Sequence, residues 1–154
     1  MKISIISVGK IKEKYLRNAI EDYSSTLKKK TELFLIEVLD EKAPENLSEK
    51  LKQQVKDSEG ESILRYIKED MFVITLEILG QELNQEQLSK KMKQAINLNK
   101  NHICFVIGGS LGLSQLVSKR SDFKLSFSKM TFPHQIMKVI LLNQLSLLDI
   151  YTNS

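Results

Sequence analysis

The segment His102-Ile-Cys-Phe-Val-Ile-Gly-Gly-Ser-Leu-Gly-Leu113 decides the fold. Its apolar run, Ile103 to Ile107, shows no polar alternation. Both faces of such a strand must be covered, which a parallel sheet between helices provides. The run enters a turn containing Gly108, Gly109 and Gly112, and a helical stretch follows from Leu113 to Arg120. Open α/β sheets bind ligands at the carboxyl ends of their strands. Glycines there let the backbone approach a ligand closely, because no Cβ intervenes. The spacing is not G-x-G-x-x-G and no Gly-Lys-Ser/Thr follows, so neither a dinucleotide fingerprint nor a P-loop is present. Taken alone, the turn fits a ligand loop and a plain strand-to-helix connection about equally.

The flanking sequence repeats the alternation of strand and helix patterns. Ile3 to Val8 is a short β-rich run ending at Gly9, and Lys12 to Leu27 carries a helical apolar face through Tyr15, Leu16, Ala19, Ile20, Tyr23 and Leu27. Leu33 to Leu39 is a second strand, and Asp40 to Asn46, with Pro44, is a loop. Glu49 to Ile67 predicts a solvated helix with a break near Gly60. Met71 to Leu79 predicts a strand closed by Gly80. Asn84 to Leu98 is helical, with Asn84 and Gln87 at the spacing of a capping pair. Phe123 to Phe127 is a short strand, and Pro133 to Asp149 is the last helix, with Pro133 at its first position. This order predicts one α/β domain over residues 1–154 with a mainly parallel sheet. The last helix is apolar around most of its circumference, from Ile136 to Leu148. It must be buried on several sides, either as a core helix or, the reading favoured here, partly in a subunit interface.

Composition narrows the partners. The chain has 154 residues, 42% of them apolar and 27% charged, with a net charge of +4. That excess permits a polyanionic partner such as RNA without requiring one. No apolar run reaches membrane-spanning length and the first residues do not resemble a signal peptide, so a cytoplasmic location is expected. The single cysteine, Cys104, reads as a buried, inert thiol. With His102 and His134 the only histidines, no metal-site spacing exists. His102 is expected at a strand edge. Ser110 lies in Gly108-Gly-Ser-Leu-Gly112, which matches the letters G-x-S-x-G, but a hydrolase elbow is not the reading favoured here. Lys28-Lys29-Lys30 reads first as a solvated helix end and second as a phosphate contact.

A second segment, Leu125-Ser-Phe-Ser-Lys-Met-Thr-Phe-Pro-His-Gln135, packs small polar, apolar and cationic residues together before the last helix. Such a mixture suits an adenosine-like ligand, with apolar walls for the base and backbone groups for its edges. An ordinary loop capped by Ser128 or Thr131 is the plainer reading. His134 is a candidate acid, base or RNA contact, against the commoner role of a helix-start histidine.

Together, VGK at 8–10, DEKAPEN at 40–46, EGE at 59–61, VITLEI at 73–78, FVIGGSLGL at 105–113 and LSFSKMTFPHQ at 125–135 closely resemble the ribosomal RNA large-subunit methyltransferase H family of the SPOUT class. The resemblance covers roughly residues 1–145. It implies an α/β fold with a C-terminal trefoil knot, a homodimer, and S-adenosylmethionine as methyl donor. The implied donor contacts are Leu76, Gly108 and Phe127, Ser128, Lys129, Met130, Thr131 and Phe132; the catalytic candidate His134 comes from the reading of the residues above. The implied acceptor is N3 of a pseudouridine in 23S rRNA on the assembled ribosome, with no metal and no membrane. After Gln144 this chain departs from the family's usual Tyr-Arg-Ala-Phe stretch and Arg-Gly-Glu-x-Tyr-His-Lys tail. Leu147 stands where the family has Arg, and Lys138 where many members have Arg. That departure raises a second expectation, a donor-binding homodimer with weakened catalysis.

Overall fold

Short apolar runs separated by amphipathic stretches build a five-stranded sheet in the computed structural model, which describes residues 1–41 and 46–151. The elements in chain order are β1 (Lys2–Val8), α1 (Lys14–Lys28), β2 (Glu32–Val38), α2 (Glu49–Leu64), β3 (Met71–Glu82), α3 (Gln85–Asn97), β4 (His102–Ile107), α4 (Gln115–Arg120), β5 (Phe123–Ser126) and α5 (His134–Ser146). The strands lie in the order β2-β1-β4-β3-β5, and every pairing is parallel. Residues 42–45 of the expected loop lie outside the described residues.

The central strands explain the missing alternation. Ile3, Ile5 and Phe105 face a core shared with Leu27, Met92, Leu141, Leu142 and Leu145, from α1, α3 and α5. Ile6, Cys104 and Val106 face a second core with Ile63 and Val117, from α2 and α4. Ile103, Cys104, Phe105 and Val106 are fully buried. The edge strand β2 has one poorly covered flank and keeps a broken pattern, with Phe34 43% exposed. Asn84 and Gln87 form the expected reciprocal cap: the Gln87 N–H donates to Asn84 Oδ1 at 2.8 Å and the Asn84 N–H to Gln87 Oε1 at 2.8 Å.

Three local expectations need correction. Helix α2 runs unbroken through Gly60, which is buried. The glycine serves close packing, since a Cβ there would collide with the Ser114 Oγ of the facing segment. Strand β3 passes Gly80 and ends at Glu82. Its register with β5 jumps between Leu76 and Gln81, both opposite Leu125, so Glu77 to Gly80 bulge out of the ladder. Gly80 allows the return, because a Cβ there would lie 2.7 Å from the Lys124 carbonyl oxygen. Finally, Pro133 caps α5 and does not begin it, and the helix ends at Ser146, not Asp149.

Helix α5 divides its apolar surface. Leu141, Leu142 and Leu145 are wholly buried in the core, so they belong to the chain's own packing and not to any interface. Ile136 and Leu147 stay 38% and 55% exposed. The helix also buries Lys138, whose Nζ lies 3.4 Å from Glu37 Oε1. At its far end Lys30 Nζ donates to the Ser146 carbonyl at 2.8 Å, which gives one of the three lysines at 28–30 a structural role.

Candidate active site

Because the strands are parallel, β3, β4 and β5 end on one side of the sheet. A cavity of about 610 Å³ opens there. Its floor is Ile107 and Leu125, and its walls are the bulge at Glu77, Ile78 and Leu79, the glycine loop after β4, and the segment between β5 and α5. The two stretches singled out in the sequence therefore meet across one space. Leu76, Gly108, Phe127, Ser128, Met130, Thr131, Phe132 and His134 all line it. Lys129 is exposed and is not among the lining residues.

The glycine loop closes on itself. Gly112 has φ +86°, where L side chains are strained, and its N–H donates to the Gly109 carbonyl at 3.0 Å. A Cβ on Gly108 would meet Leu113 Cδ2 at 2.9 Å and the Gly112 carbonyl carbon at 3.0 Å. Gly108 is thus required by the loop's own fold, before any ligand enters. A Cβ on Gly109 would meet Glu59 Oε1 and Val8 Cγ1, each at 3.2 Å. The short motifs VGK and EGE converge under this loop: Val8 and Glu59 support Gly109, and Gly60 seats Ser114. Ser114 in turn caps α4 by accepting the Val117 N–H at 3.3 Å.

Glu59 is 4% exposed and accepts the Glu41 N–H at 3.1 Å. Burial, reinforced by Asp40 and Glu41, raises its pKa from 4.5 to about 7, although the Glu41 backbone bond opposes the shift. On the other wall, Glu77 is held by hydroxyls from two elements. Thr75 Oγ1 donates to its Oε2 at 2.6 Å, and Ser118 Oγ reaches its Oε1 at 3.0 Å. In the segment before α5, Ser128 Oγ accepts the Met130 N–H at 3.0 Å, the turn cap expected of it. His134 is half-buried at the start of α5.

Two other candidates fall away from the cavity. Burial pushes the Cys104 thiol up to about 12, so it stays protonated and inert. His102 sits at the opposite end of the sheet, with Nε2 2.6 Å from Ser4 Oγ, and burial lowers its pKa. Reading the sequence missed Glu59, Glu77, Ile78 and Leu79. Gly80, an isolated glycine inside a strand pattern, was the available sign of the bulge that exposes the last three.

This arrangement gives an apolar-walled pocket with accessible loop backbone, one fixed carboxylate and one imidazole. It suits a nucleoside-sized ligand. The family described as "Predicted SPOUT methyltransferase" matches residues 1–147. A ribosomal RNA large subunit methyltransferase H of Alkaliphilus oremlandii is 53% identical over 145 residues, covering 94% of this chain and 91% of that protein. The protein of that name from Bifidobacterium adolescentis is 52% identical over 145 residues, with the same coverage. One from Clostridium perfringens is 52% identical over 144 residues, again covering 94% and 91%. The chain belongs to the ribosomal RNA large subunit methyltransferase H family of SPOUT methyltransferases.

Proposed function

We propose that this chain, as one domain that pairs into a homodimer, methylates N3 of a pseudouridine in 23S rRNA on the assembled ribosome in the cytoplasm, with S-adenosylmethionine as donor. The observation that carries this reading is the single cavity in which the glycine loop, the β3 end and the 125–135 segment face one another. Its volume of about 610 Å³ suits a ligand of that size. The relatives' names give large-subunit ribosomal RNA as what those proteins act on. The net charge of +4 is compatible with such a partner.

The residues present fit the donor. Leu76, Phe127 and Met130 offer apolar surface for an adenine, and the backbone of Gly108 and of residues 127–132 offers groups for its polar edges. Lys129 belongs to that run and would contribute through its main chain. S-adenosylmethionine, when bound, supplies an electrophilic methyl on a sulfonium. The chain's own tasks are to hold the acceptor base against the cavity mouth, to exclude water and to take up the imide proton. His134 is the imidazole at that mouth and the candidate proton acceptor.

A knot is part of this proposal. β5 lies at one edge of the sheet, while α5 packs against α1 and β4. Residues 127–133 therefore cross the carboxyl ends of β3 and β4, beside the glycine loop. Threading of this crossing through that loop is the trefoil the family implies. The alternative without turnover is not favoured, because relatives named as methyltransferases are 52% and 53% identical over 94% of this chain.

The experiment is methyl incorporation into ribosomes that lack the modification, read by mass spectrometry of the 23S rRNA. One added methyl on the pseudouridine is expected. Unmodified rRNA, under conditions where another family member modifies the same ribosomes, would refute the proposal.

A further inference from the structure

Among the described residues, Glu77 is the only carboxylate lining the cavity, and no lysine or arginine lines it. The bulge places it there: Glu77 is the first residue of β3 to lose its partner on β5. Its position is fixed from two sides. Thr75, fully buried on the same strand, donates to Oε2 at 2.6 Å, and Ser118 of α4 donates at 3.0 Å to Oε1, with Oε2 at 3.2 Å. Two hydroxyl anchors hold a charge at the wall of an otherwise apolar space. A negative wall with no lysine or arginine beside it among the described lining residues distinguishes ligands by charge.

We propose that Glu77 is the specificity-determining residue that makes the cavity prefer the cationic sulfonium donor over its neutral thioether product. The proposal rests on the donor reading above and assigns a cause for its selectivity. S-adenosylmethionine and S-adenosylhomocysteine share adenine, ribose and amino-acid groups and differ by one methyl and one positive charge. Contacts to the shared groups bind both alike. The methyl's own contacts and a term that senses charge separate them, and a fixed carboxylate on the cavity wall would supply the charge term. At an effective dielectric of about 20, such a pair separates the two ligands by on the order of tenfold or more. Methyl transfer then cancels the attraction, and the spent cofactor leaves more readily than the fresh donor.

The test is calorimetric affinity of the intact protein for both compounds, in the parent and in Glu77→Gln and Glu77→Asp. Gln removes the charge and keeps one acceptor oxygen for Thr75 or Ser118, while its NH2 faces the other hydroxyl, which can rotate to accept. Glu77→Gln is expected to weaken S-adenosylmethionine about tenfold and S-adenosylhomocysteine little. Glu77→Asp should keep most of the parent's ratio. Equal loss for both ligands would mean that the carboxylate holds a group common to them, such as the ribose hydroxyls, and would overturn the proposal. So would an unchanged ratio in Glu77→Gln. If Glu77→Gln does not fold, the parent still decides. Sinefungin, which carries an ammonium near the sulfonium position, must then bind more tightly than S-adenosylhomocysteine, and equal affinity overturns the proposal. A parent that binds none of these compounds refutes the donor reading itself, a result distinct from binding with an unaltered ratio.

Discussion

Glu59 shows what a single buried side chain does for this site. It lies beneath Gly109 with its pKa raised from 4.5 to about 7 by burial and by Asp40 and Glu41. Between those values the folded chain holds a proton that the unfolded chain has released. Stability from this group is therefore full at low pH and is lost as pH rises through about 7. At about 1.4 kcal/mol per pKa unit the loss is on the order of 3 kcal/mol. Glu59→Gln keeps the acceptor for the Glu41 N–H and is expected to be more stable than the parent above neutrality, by about 2 kcal/mol. Urea unfolding at about pH 5 and about pH 8 checks this, and a variant less stable than the parent at the higher pH contradicts it. The sequence displayed Glu59 within EGE but could not reveal its burial, which depends on a loop fifty residues onward in the chain, on the order of a whole βαβ unit. Gly108 was legible as a residue that must lack a side chain. The reason was not, because its steric neighbour is Gly112 of the same loop and no ligand is needed to exclude a Cβ.

At the level of elements, apolar patterning identified the strands and helices of the described residues, because each helix turns its buried residues to one core and the central strands divide theirs between both. It failed where glycine has a second use. Gly60 was read as a helix break from composition alone, yet it is the contact point between α2 and the segment capping α4. Gly60→Ala weighs two effects. Alanine gains about 1 kcal/mol of helix propensity. Against this, its Cβ pushes Ser114 off the Val117 N–H, at about 1 kcal/mol for a lost cap, and overpacks the contact for about 1–3 kcal/mol. The variant is therefore expected to be destabilised by about 1–3 kcal/mol, and combination with Ser114→Ala should cost less than the two singles added. Chemical denaturation of the four proteins measures both. A stabilised Gly60→Ala would show that the helix has room to shift. The β3 bulge was equally hidden: four residues leaving a ladder change no local pattern, and only Gly80 marked the place.

For the whole molecule, the apolar excess of α5 was legible and its partition was not. A sequence cannot say which side of a helix its own sheet will cover. The buried trio Leu141, Leu142 and Leu145 belongs to the core, so charge there tests folding. The proposed dimer must use what remains outside, and Ile136 and Leu147 are the exposed apolar residues of that helix and its C-cap. Ile136→Asp with Leu147→Asp is expected to yield a folded monomer. Sedimentation, with circular dichroism as the control for folding, measures this. A parent that sediments as a monomer, or a double variant that remains dimeric, would remove α5 from the interface. The strand order has a separate consequence for synthesis. With every pairing parallel, the sheet contains no hairpin, and β4 is the strand that joins β1 to β3. A chain growing from its amino end can pair β1 with β2 early, but β3 then waits with both flanks open. The two parts become one sheet only after residue 107 has left the ribosome tunnel, and the cavity gains its last wall later still, when the 125–135 segment emerges.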